Sequence, residues 1–522
     1  MKTANCSQMR AFDSATINDH NIPGVELMDR AGLGVARCVK RIMSISEPKL
    51  SRTIMIAGKG NNGGDVFAAA RYLHEWHIEI EVRLTCHASD ISGDAYYHFE
   101  KMRALHIAIR EMADESDWSE INTIHSDSGC VLVDGILGTG ISGSSRGTAA
   151  AAIRYINRHS LHSIVVAVDI PSGLNADTGE PGGDTVLADV TVTMGLPKRG
   201  FAEQSAIEYI GSLEIVDIGI PESLLMNHAS DVEIIALSDF SGAFPKRKRL
   251  THKGTYGHVL VIAGAAGYAG AAGMTTRACC RSGAGLVTAL VPANIAPIVS
   301  SMAPEAMVHP GAETNIGSLS FNCLELWLKK ITNFNAIVVG PGMTPHEATN
   351  SIVRRILSSA EAPIVMDADA LNSCPSLLSL LRRRNMPSII TPHPGEMARL
   401  LDRNVNYIQQ DRIGSAQAAA EKGKTIVVLK GAGTVVAQSG RTPSVNLTGN
   451  PGMATGGTGD ILAGMIGGFL AQGINPHTAA CAAVNLHGRA GDTAALRGSQ
   501  ITMTAYDLLA ELPLLLREIS GR

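Results

Sequence analysis

The first strongly apolar run ends in Gly58-Lys59-Gly60-Asn61-Asn62-Gly63-Gly64-Asp65, where two amides and a carboxylate stand among glycines. At a tight turn they offer oxygens and backbone amides together, which suits a ligand carrying hydroxyls and phosphate, or a weakly hydrated cation. Gly58, Gly60 and Gly63 also satisfy GxGxxG, with Glu79 and Glu81 at about the Rossmann distance, so a dinucleotide dehydrogenase is the first reading of that motif alone. The plain alternative is an Asx-rich turn capping the next helix. Two further runs end in acids: Val133-Asp134-Gly135, leading into the glycine loop 138–144, and Val168-Asp169-Ile170-Pro171-Ser172-Gly173. Met194-Gly195-Leu196-Pro197-Lys198 brings an ammonium to another run end. In an open α/β sheet such ends converge on one crevice. Any one acid could cap a helix, but capping is a poor account of all of them.

The second half carries its own set. Asn450-Pro451-Gly452-Met453-Ala454-Thr455-Gly456-Gly457-Thr458-Gly459-Asp460 precedes an apolar helix pattern at 461–470. Glycines ahead of a helix expose its first-turn amides, and these with the helix dipole make an anion site. A carboxylate at Asp460 can deprotonate a hydroxyl attacking a terminal phosphate; the alternative is a simple N-cap. Other run ends carry Gly340-Pro341-Gly342, Asp367-Ala368-Asp369, Thr391-Pro392-His393-Pro394-Gly395-Glu396 and Lys430-Gly431-Ala432-Gly433-Thr434. The small residues of 263–273 permit close approach of a ligand or of another helix. Gly423-Lys424-Thr425 is no P-loop, because Ala418 stands where the Walker pattern needs glycine. No His-Glu-x-x-His or zinc spacing occurs.

The elements that must position these residues are βα units. Short apolar runs at 53–57, 78–84, 131–133, 164–168, 190–194 and 213–218 alternate with helical patterns in the first half. Runs at 259–263, 286–291, 336–339, 364–366, 388–390, 426–429 and 434–437 do so in the second. Nearly all-apolar strands predict parallel sheets covered on both faces. Turn residues and a charge run break the pattern at 238–250, which predicts domains at 1–237 and 245–522. Their glycine motifs differ, so they are not repeats.

Composition excludes several classes. Net charge is −4, and the one basic cluster, Lys246-Arg247-Lys248-Arg249, reads as a solvated linker, so no nucleic-acid partner is expected. No apolar run approaches the roughly 20 residues of a membrane span, and the N-terminus lacks an apolar signal core. Nine cysteines without a CxxC fit a reducing compartment. A cytoplasmic enzyme is expected.

The first-half motifs closely resemble the YjeF N-terminal family, the NAD(P)H-hydrate epimerases, over about residues 1–235. The resemblance implies a Rossmann-like three-layer sandwich. It also implies that Asn61, Asn62, Gly63, Gly64 and Asp65 contact the hydrated dinucleotide, with Gly138, Thr139, Gly140, Ile141, Ser142, Gly143 and Ser144. Asn62, Asp134 and Ser172 would hold potassium; Asp169 touches substrate and forms the acid/base pair with Lys198. One departure is Val66, where the family usually has glycine; its side chain is expected to narrow the pocket. The second half resembles the ribokinase-like superfamily, and within it the ADP/ATP-dependent NAD(P)H-hydrate dehydratases, over about residues 245–520. That implies a ribokinase-like α/β domain with Ala271, Gly342 and His393 lining the substrate pocket. Lys430, Gly431, Ala432, Gly433, Thr434 and Gly459 would bind ADP or ATP with magnesium, and Asp460 would be the catalytic base and touch substrate. A homo-oligomer is expected, with NADH or NADPH hydrates and nucleotides as ligands. Two other readings stand beside this one: a Rossmann dehydrogenase fused to a small-molecule kinase, and a non-catalytic nucleotide-binding sensor.

Overall fold

A computed structural model describes residues 1–46, 50–120, 129–140, 143–244 and 246–520. By its internal contacts the chain divides into two units, Met1–Ile234 and Ile235–Arg522.

In the first unit the apolar runs become strands β1 (Arg52–Ala57), β2 (Ile80–Leu84), β3 (Ala108–Glu111), β4 (Cys130–Gly135), β5 (Ser163–Val168), β6 (Val190–Met194) and β7 (Ser212–Val216). A two-residue strand, β8 (Glu233–Ile234), follows and is bridged by Lys2. The main sheet is ordered β3-β2-β1-β4-β5-β6-β7, and its pairs are parallel. Alternate residues take opposite faces. Met55, Ala57, Val131, Val133, Val166 and Val168 pack with Val35 and Val39 of helix Gly24–Ile45 and Phe67 and Ala70 of helix Asn61–Glu75. Ile54, Ile56, Leu132, Val165 and Ala167 pack with Ala152, Ile153 and Ile156 of helix Gly147–His159. Each buried Val, Leu or Ile stabilises these layers by about 1.5–3 kcal/mol. The result is a three-layer sandwich whose strand order reverses beside β1 and β4, the place where such sheets bind ligands.

The second unit contributes β9 (His258–Ile262), β10 (Leu286–Pro292), β11 (Met307–Gly311), β12 (Ala336–Val339), β13 (Ile364–Met366), β14 (Ser388–Ile390), β15 (Ile426–Leu429), β16 (Thr434–Gln438) and β17 (Ser444–Asn446). They are ordered β11-β10-β9-β12-β13-β14-β15-β16-β17. Pairing is parallel through β15, then antiparallel from β15 to β16 and from β16 to β17. An all-parallel sheet was the expectation; four residues, 430–433, separate β15 from β16. A parallel crossover needs about a dozen or more residues, so the chain turns back as a hairpin. Sequence reasoning also missed β3, β8, β11 and β17. β3 and β11 are sheet edges, largely exposed, and β11 carries Pro310.

Helices Thr458–Ala471 and Ala269–Arg281 press together on one face of this sheet, over Val259, Val261 and Val338. A Cβ on Gly464 would sit 2.4 Å from the Thr275 carbonyl oxygen, and one on Gly468 2.7 Å from Ser282 Cβ. Gly464 and Gly468 therefore serve helix packing. Ile235 and Phe240 belong to the second core, while Lys246 to Arg249 are exposed. Arg247 lies over the Tyr256 ring at 4.1 Å. No helix among the described residues is long and apolar enough to cross a membrane.

Candidate active sites

In the first unit, β1 ends at the glycine turn. A Cβ on Gly63 would fall 1.8 Å from the Gly58 carbonyl oxygen, so only glycine lets the turn close. Asn62 is the second residue of the next helix and is 7% exposed; its Nδ2 donates to the carbonyls of Val168 (2.7 Å) and Leu137 (3.0 Å), tying three strand ends together. Asp134, at the tip of β4, accepts from Ser172 Oγ at 2.6 Å and from Ser172 N at 2.8 Å. Burial still pushes Asp134 up to about 6. Asn62, Asp134 and Ser172 thus meet. Their hard oxygens, with a buried carboxylate whose charge wants a partner, fit an alkali cation.

Asp169 follows β5 with φ +63°, a backbone region costly for a residue with a Cβ. Its Oδ1 accepts from Lys198 Nζ at 2.6 Å, Thr193 Oγ1 at 3.2 Å and Met194 N at 3.1 Å. Lys198, with its side chain 2% exposed, also donates to Thr193 Oγ1 and the Met194 carbonyl. The pair joins a buried ammonium to a partly buried carboxylate that takes these bonds on one oxygen. Asp65 stands in their field: burial first, then the charges of Asp169 and Asp13, hold its carboxyl well above the usual range.

The glycine loop adjoins this cluster. A Cβ on Gly138 would touch Asn62 Oδ1 at 3.0 Å, the Thr139 carbonyl accepts from Cys6 Sγ at 3.4 Å, and Gly143 and Ser144 lie against Gly182 and Gly183. Gly140 is open and Asn61 exposed. Gly64 faces Met28 instead. Ile141 and Ser142 lie outside the described residues. Val66 does not narrow a pocket: it is fully buried in the core, its Cγ2 close to where a Cβ on Gly135 would be. Glu81, the acid a dehydrogenase would need for ribose, lies within β2 and pairs with Arg83 at 2.8 Å.

In the second unit the site runs along the strand ends from β9 to β15. A Cβ on Gly342 would meet Tyr268 Cβ at 2.9 Å and Ala271 Cβ at 3.0 Å, so these three form one wall. Asp367, at the end of β13, accepts from Thr391 Oγ1 at 2.7 Å and Lys430 Nζ at 2.6 Å. The next residue, Ala368, has φ +48°. Lys430 Nζ is also 3.9 Å from Glu396 Oε2. His393 caps helix Pro394–Leu401, its Nδ1 accepting from Gly395 N at 3.0 Å while Glu396 Oε2 accepts from His393 N at 2.8 Å. Asp367 and Glu396 supply the one or two carboxylates from which magnesium is commonly held alongside phosphates.

Gly457, with φ +96°, is the N-cap of helix Thr458–Ala471. Asp460 therefore lies in the first turn and is not the cap. A Cβ on Gly459 would be 3.5 Å from Lys430 Nζ, which joins Gly459 to the lysine. Burial, reinforced by Asp367, pushes Asp460 up to about 7. Burial likewise raises Glu396 to about 7. His487 Nε2 donates to the Thr458 carbonyl at 2.9 Å, steadying the turn.

Sequence reasoning placed Asp367 and Glu396 at run ends without giving them a role, and it missed His487 and Arg412. Arg412 is 6% exposed and donates to the carbonyls of Leu429 (3.2 Å) and Lys430 (3.1 Å), beneath the turn of Gly431, Ala432, Gly433 and Thr434. The acids at the β13 and β14 ends were a usable signal; Arg412 offered none.

The raised acids have a stability consequence. Glu396 moves from 4.5 to about 7 and Asp460 from 3.8 to about 7 on folding. Between those values the folded state holds more protons than the unfolded chain, so stability falls as pH rises through the window. His477 and His487, lowered to about 4 by burial, act in the opposite sense, so the acids are read by difference. Relative to a Glu396→Gln, Asp460→Asn double variant, the metal- and nucleotide-free wild type is expected to gain stability in its second unit from pH 8 to pH 5, measured as the change in urea midpoint; equal pH slopes in the two proteins would contradict it.

A parallel Rossmann-like sheet with a strained carboxylate–ammonium pair, and a ribokinase-like sheet with a buried acid in a glycine-rich anion turn, define a two-unit α/β enzyme for nucleotide ligands. Residues 24–200 match the family described as YjeF-related protein N-terminus, and residues 259–514 the family described as NAD(P)H-hydrate dehydratase. The chain is 37% identical over 521 residues to the bifunctional NAD(P)H-hydrate repair enzyme Nnr of Moorella thermoacetica, covering 99% of this chain and 97% of that one. It is 35% identical over 491 residues to the Escherichia coli enzyme of the same name, covering 93% and 88%. The chain belongs to the family of bifunctional NAD(P)H-hydrate repair enzymes. A solved structure of the ADP/ATP-dependent NAD(P)H-hydrate dehydratase from Bacillus subtilis, co-crystallised with ATP and Mg2+, is 32% identical, covers 56% of this chain and 99% of its own, and has a TM-score of 0.48.

Proposed function

We propose that this chain repairs hydrated NADH and NADPH: one activity epimerises the R and S forms, and the other dehydrates the S form with ADP or ATP as phosphoryl donor. The observation that carries the reading is the relative of that double activity aligned over 99% of this chain. Residues 1–237 carry the epimerase and 245–522 the dehydratase.

In the dehydratase, Ala271, Gly342 and His393 line the pocket for the hydrated dinucleotide. Lys430 to Thr434 and Gly459 hold the nucleotide, the Lys430 ammonium offsetting phosphate charge. Asp460 takes the proton of the added hydroxyl as its oxygen bonds to the terminal phosphorus and the bond to the bridging oxygen breaks. Phosphate then leaves the ring carbon, the neighbouring carbon loses a proton, and the double bond returns. Asp367 and Glu396 would hold magnesium, which supplies charge neutralisation on the phosphates when bound.

In the epimerase, the Asn61 to Asp65 turn and the 138–144 loop bind the dinucleotide, and Asp169 with Lys198 moves the proton that inversion requires. Asn62, Asp134 and Ser172 would hold potassium, which supplies a fixed positive charge at the strand tips when bound. Ser172→Ala is expected to raise the potassium concentration for half-maximal epimerisation about 10–100-fold. Dehydration of the S form should be unchanged. A potassium titration at constant ionic strength that superposes on wild type would remove Ser172 from the site.

We take the protein to be a cytoplasmic homo-oligomer. Nine free cysteines support a reducing compartment, and symmetric assembly is common for enzymes of this kind. The deciding assay supplies each purified epimer of hydrated NADH with protein, magnesium, potassium and either ADP or ATP, and follows reduced-nicotinamide absorbance. Nucleotide-dependent recovery from both epimers is expected. Recovery from neither would return the chain to the kinase or sensor readings.

A further inference from the structure

The N-terminal helix Cys6–Asn18 has no part in the chemistry above. It turns Met9, Phe12 and Thr16 inward, at 7%, 8% and 0% exposed. At 3.6 residues per turn that face also runs through position 13, four residues after Met9 and three before Thr16. Packing alone calls for an apolar residue there, and the sequence supplies Asp13.

The helix is fastened over the strand tips of the epimerase site. Ala4 bridges Lys198 in parallel; Ala4 N donates to the Pro197 carbonyl at 3.0 Å, and Arg199 N to the Ala4 carbonyl at 2.9 Å. Cys6 N donates to Asp177 Oδ1 at 2.6 Å, and Cys6 Sγ to the Thr139 carbonyl at 3.4 Å, so the glycine loop is gripped as well. Asp13 is thereby brought into the electrostatic field of Lys198 and Asp169, and it acts in turn on Asp65. Among the described residues no hydrogen bond or ion pair satisfies the Asp13 carboxyl. A half-buried carboxyl without a partner costs stability, and departures of this kind from local fold logic gather at functional sites.

We infer that Asp13 is a second acid–base residue of the epimerase, acting from the N-terminal helix while the Asp169–Lys198 pair acts from the strand tips. This rests on the epimerase reading above. Inversion by loss and return of the hydroxyl requires a proton to be given on one face of the ring and removed on the other. One carboxylic acid protonates the hydroxyl as the carbon–oxygen bond breaks. The bonding pair departs with water, and the ring-nitrogen lone pair closes a carbon–nitrogen double bond. Water then adds to the opposite face, and the other carboxylate takes its proton; the roles exchange in the reverse direction. Burial raises the Asp13 carboxyl above its usual range, with Lys198 opposing and Asp169 reinforcing the shift.

The full-length Asp13→Asn and Asp13→Glu variants test this with the R epimer of hydrated NADPH, scoring R-to-S conversion, and with the S epimer plus nucleotide, scoring dehydration. Asp13→Asn should lower kcat for epimerisation by about 100-fold or more with KM unchanged, and Asp13→Glu should restore much of it. Dehydration should be unaffected in both. The melting temperature of Asp13→Asn should hold or rise, because an unsatisfied charge has gone. Wild-type epimerisation in Asp13→Asn, or a rise in KM with kcat held, would overturn the inference. So would a fall in melting temperature with both variants inactive, which marks a structural role. If the wild type dehydrates the S form but never converts the R form, the epimerase reading itself fails, a result separate from either.

Discussion

Asp460→Asn should abolish dehydration and leave epimerisation at the wild-type rate. The substitution keeps the shape of the side chain and removes only its capacity to accept a proton. General-base removal of this kind costs about 10²–10⁴ in rate. The site supplies the reason for a large value: Asp460 is raised to about 7 by burial and by Asp367, so its basicity near neutral pH is tuned to the task. The readouts are reduced-nicotinamide absorbance from the S epimer with nucleotide, and chromatographic R-to-S conversion without it. Loss of both activities in a folded variant would end the division of labour between the two sets of residues.

Lys430→Met should act on stability and binding together. The ammonium is held by Asp367 at 2.6 Å and stands 3.9 Å from Glu396, whose side chains are 2% and 4% exposed. Removing one partner of a buried pair leaves an uncompensated charge and costs about 3–5 kcal/mol. The urea midpoint of the second unit should fall accordingly, and ADP or ATP should no longer raise it. The double variant Lys430→Met, Asp367→Asn separates the two effects: it should recover much of the stability and none of the nucleotide response. A single variant as stable as wild type would mean that water reaches Asp367 and Glu396 in a way their burial does not suggest.

The sequence made the strand ends legible because parallel strands covered on both faces read as unbroken apolar runs, and the chemistry sits in the residue just after each run. Asp134, Asp169 and Lys430 were singled out that way, Asn62 and Lys198 a few residues further along the turns, and Asp460 from the glycine-rich turn ahead of an apolar helix. Three kinds of information stayed hidden. Partnership across the sheet is one: Asp367 and Lys430 are 63 residues apart, and only the order β13-β14-β15 brings them to 2.6 Å. Backbone strain is another, since neither Asp169 nor Ala368 announces a positive φ. The third is a polar residue on a helix face that also buries apolar ones, as with Asp13 and Arg412; a periodicity argument scores each as an ordinary surface residue. The edge strands β3 and β11 escaped for a simpler reason, that a half-solvated edge needs no apolar run.

The close seating of helix Thr458–Ala471 on helix Ala269–Arg281 makes one beam of two parts. One carries Asp460, the other Ala271. Gly464 and Gly468 leave no clearance for even a methyl group. An alanine at either would pry the beam open and move the acid relative to the lysine, although each glycine touches only the neighbouring helix and its cap. Random variation in this enzyme will therefore find a silent-looking seam as unforgiving as the site itself, and efforts to change its nucleotide preference have more room in the β15–β16 hairpin than anywhere along that seam.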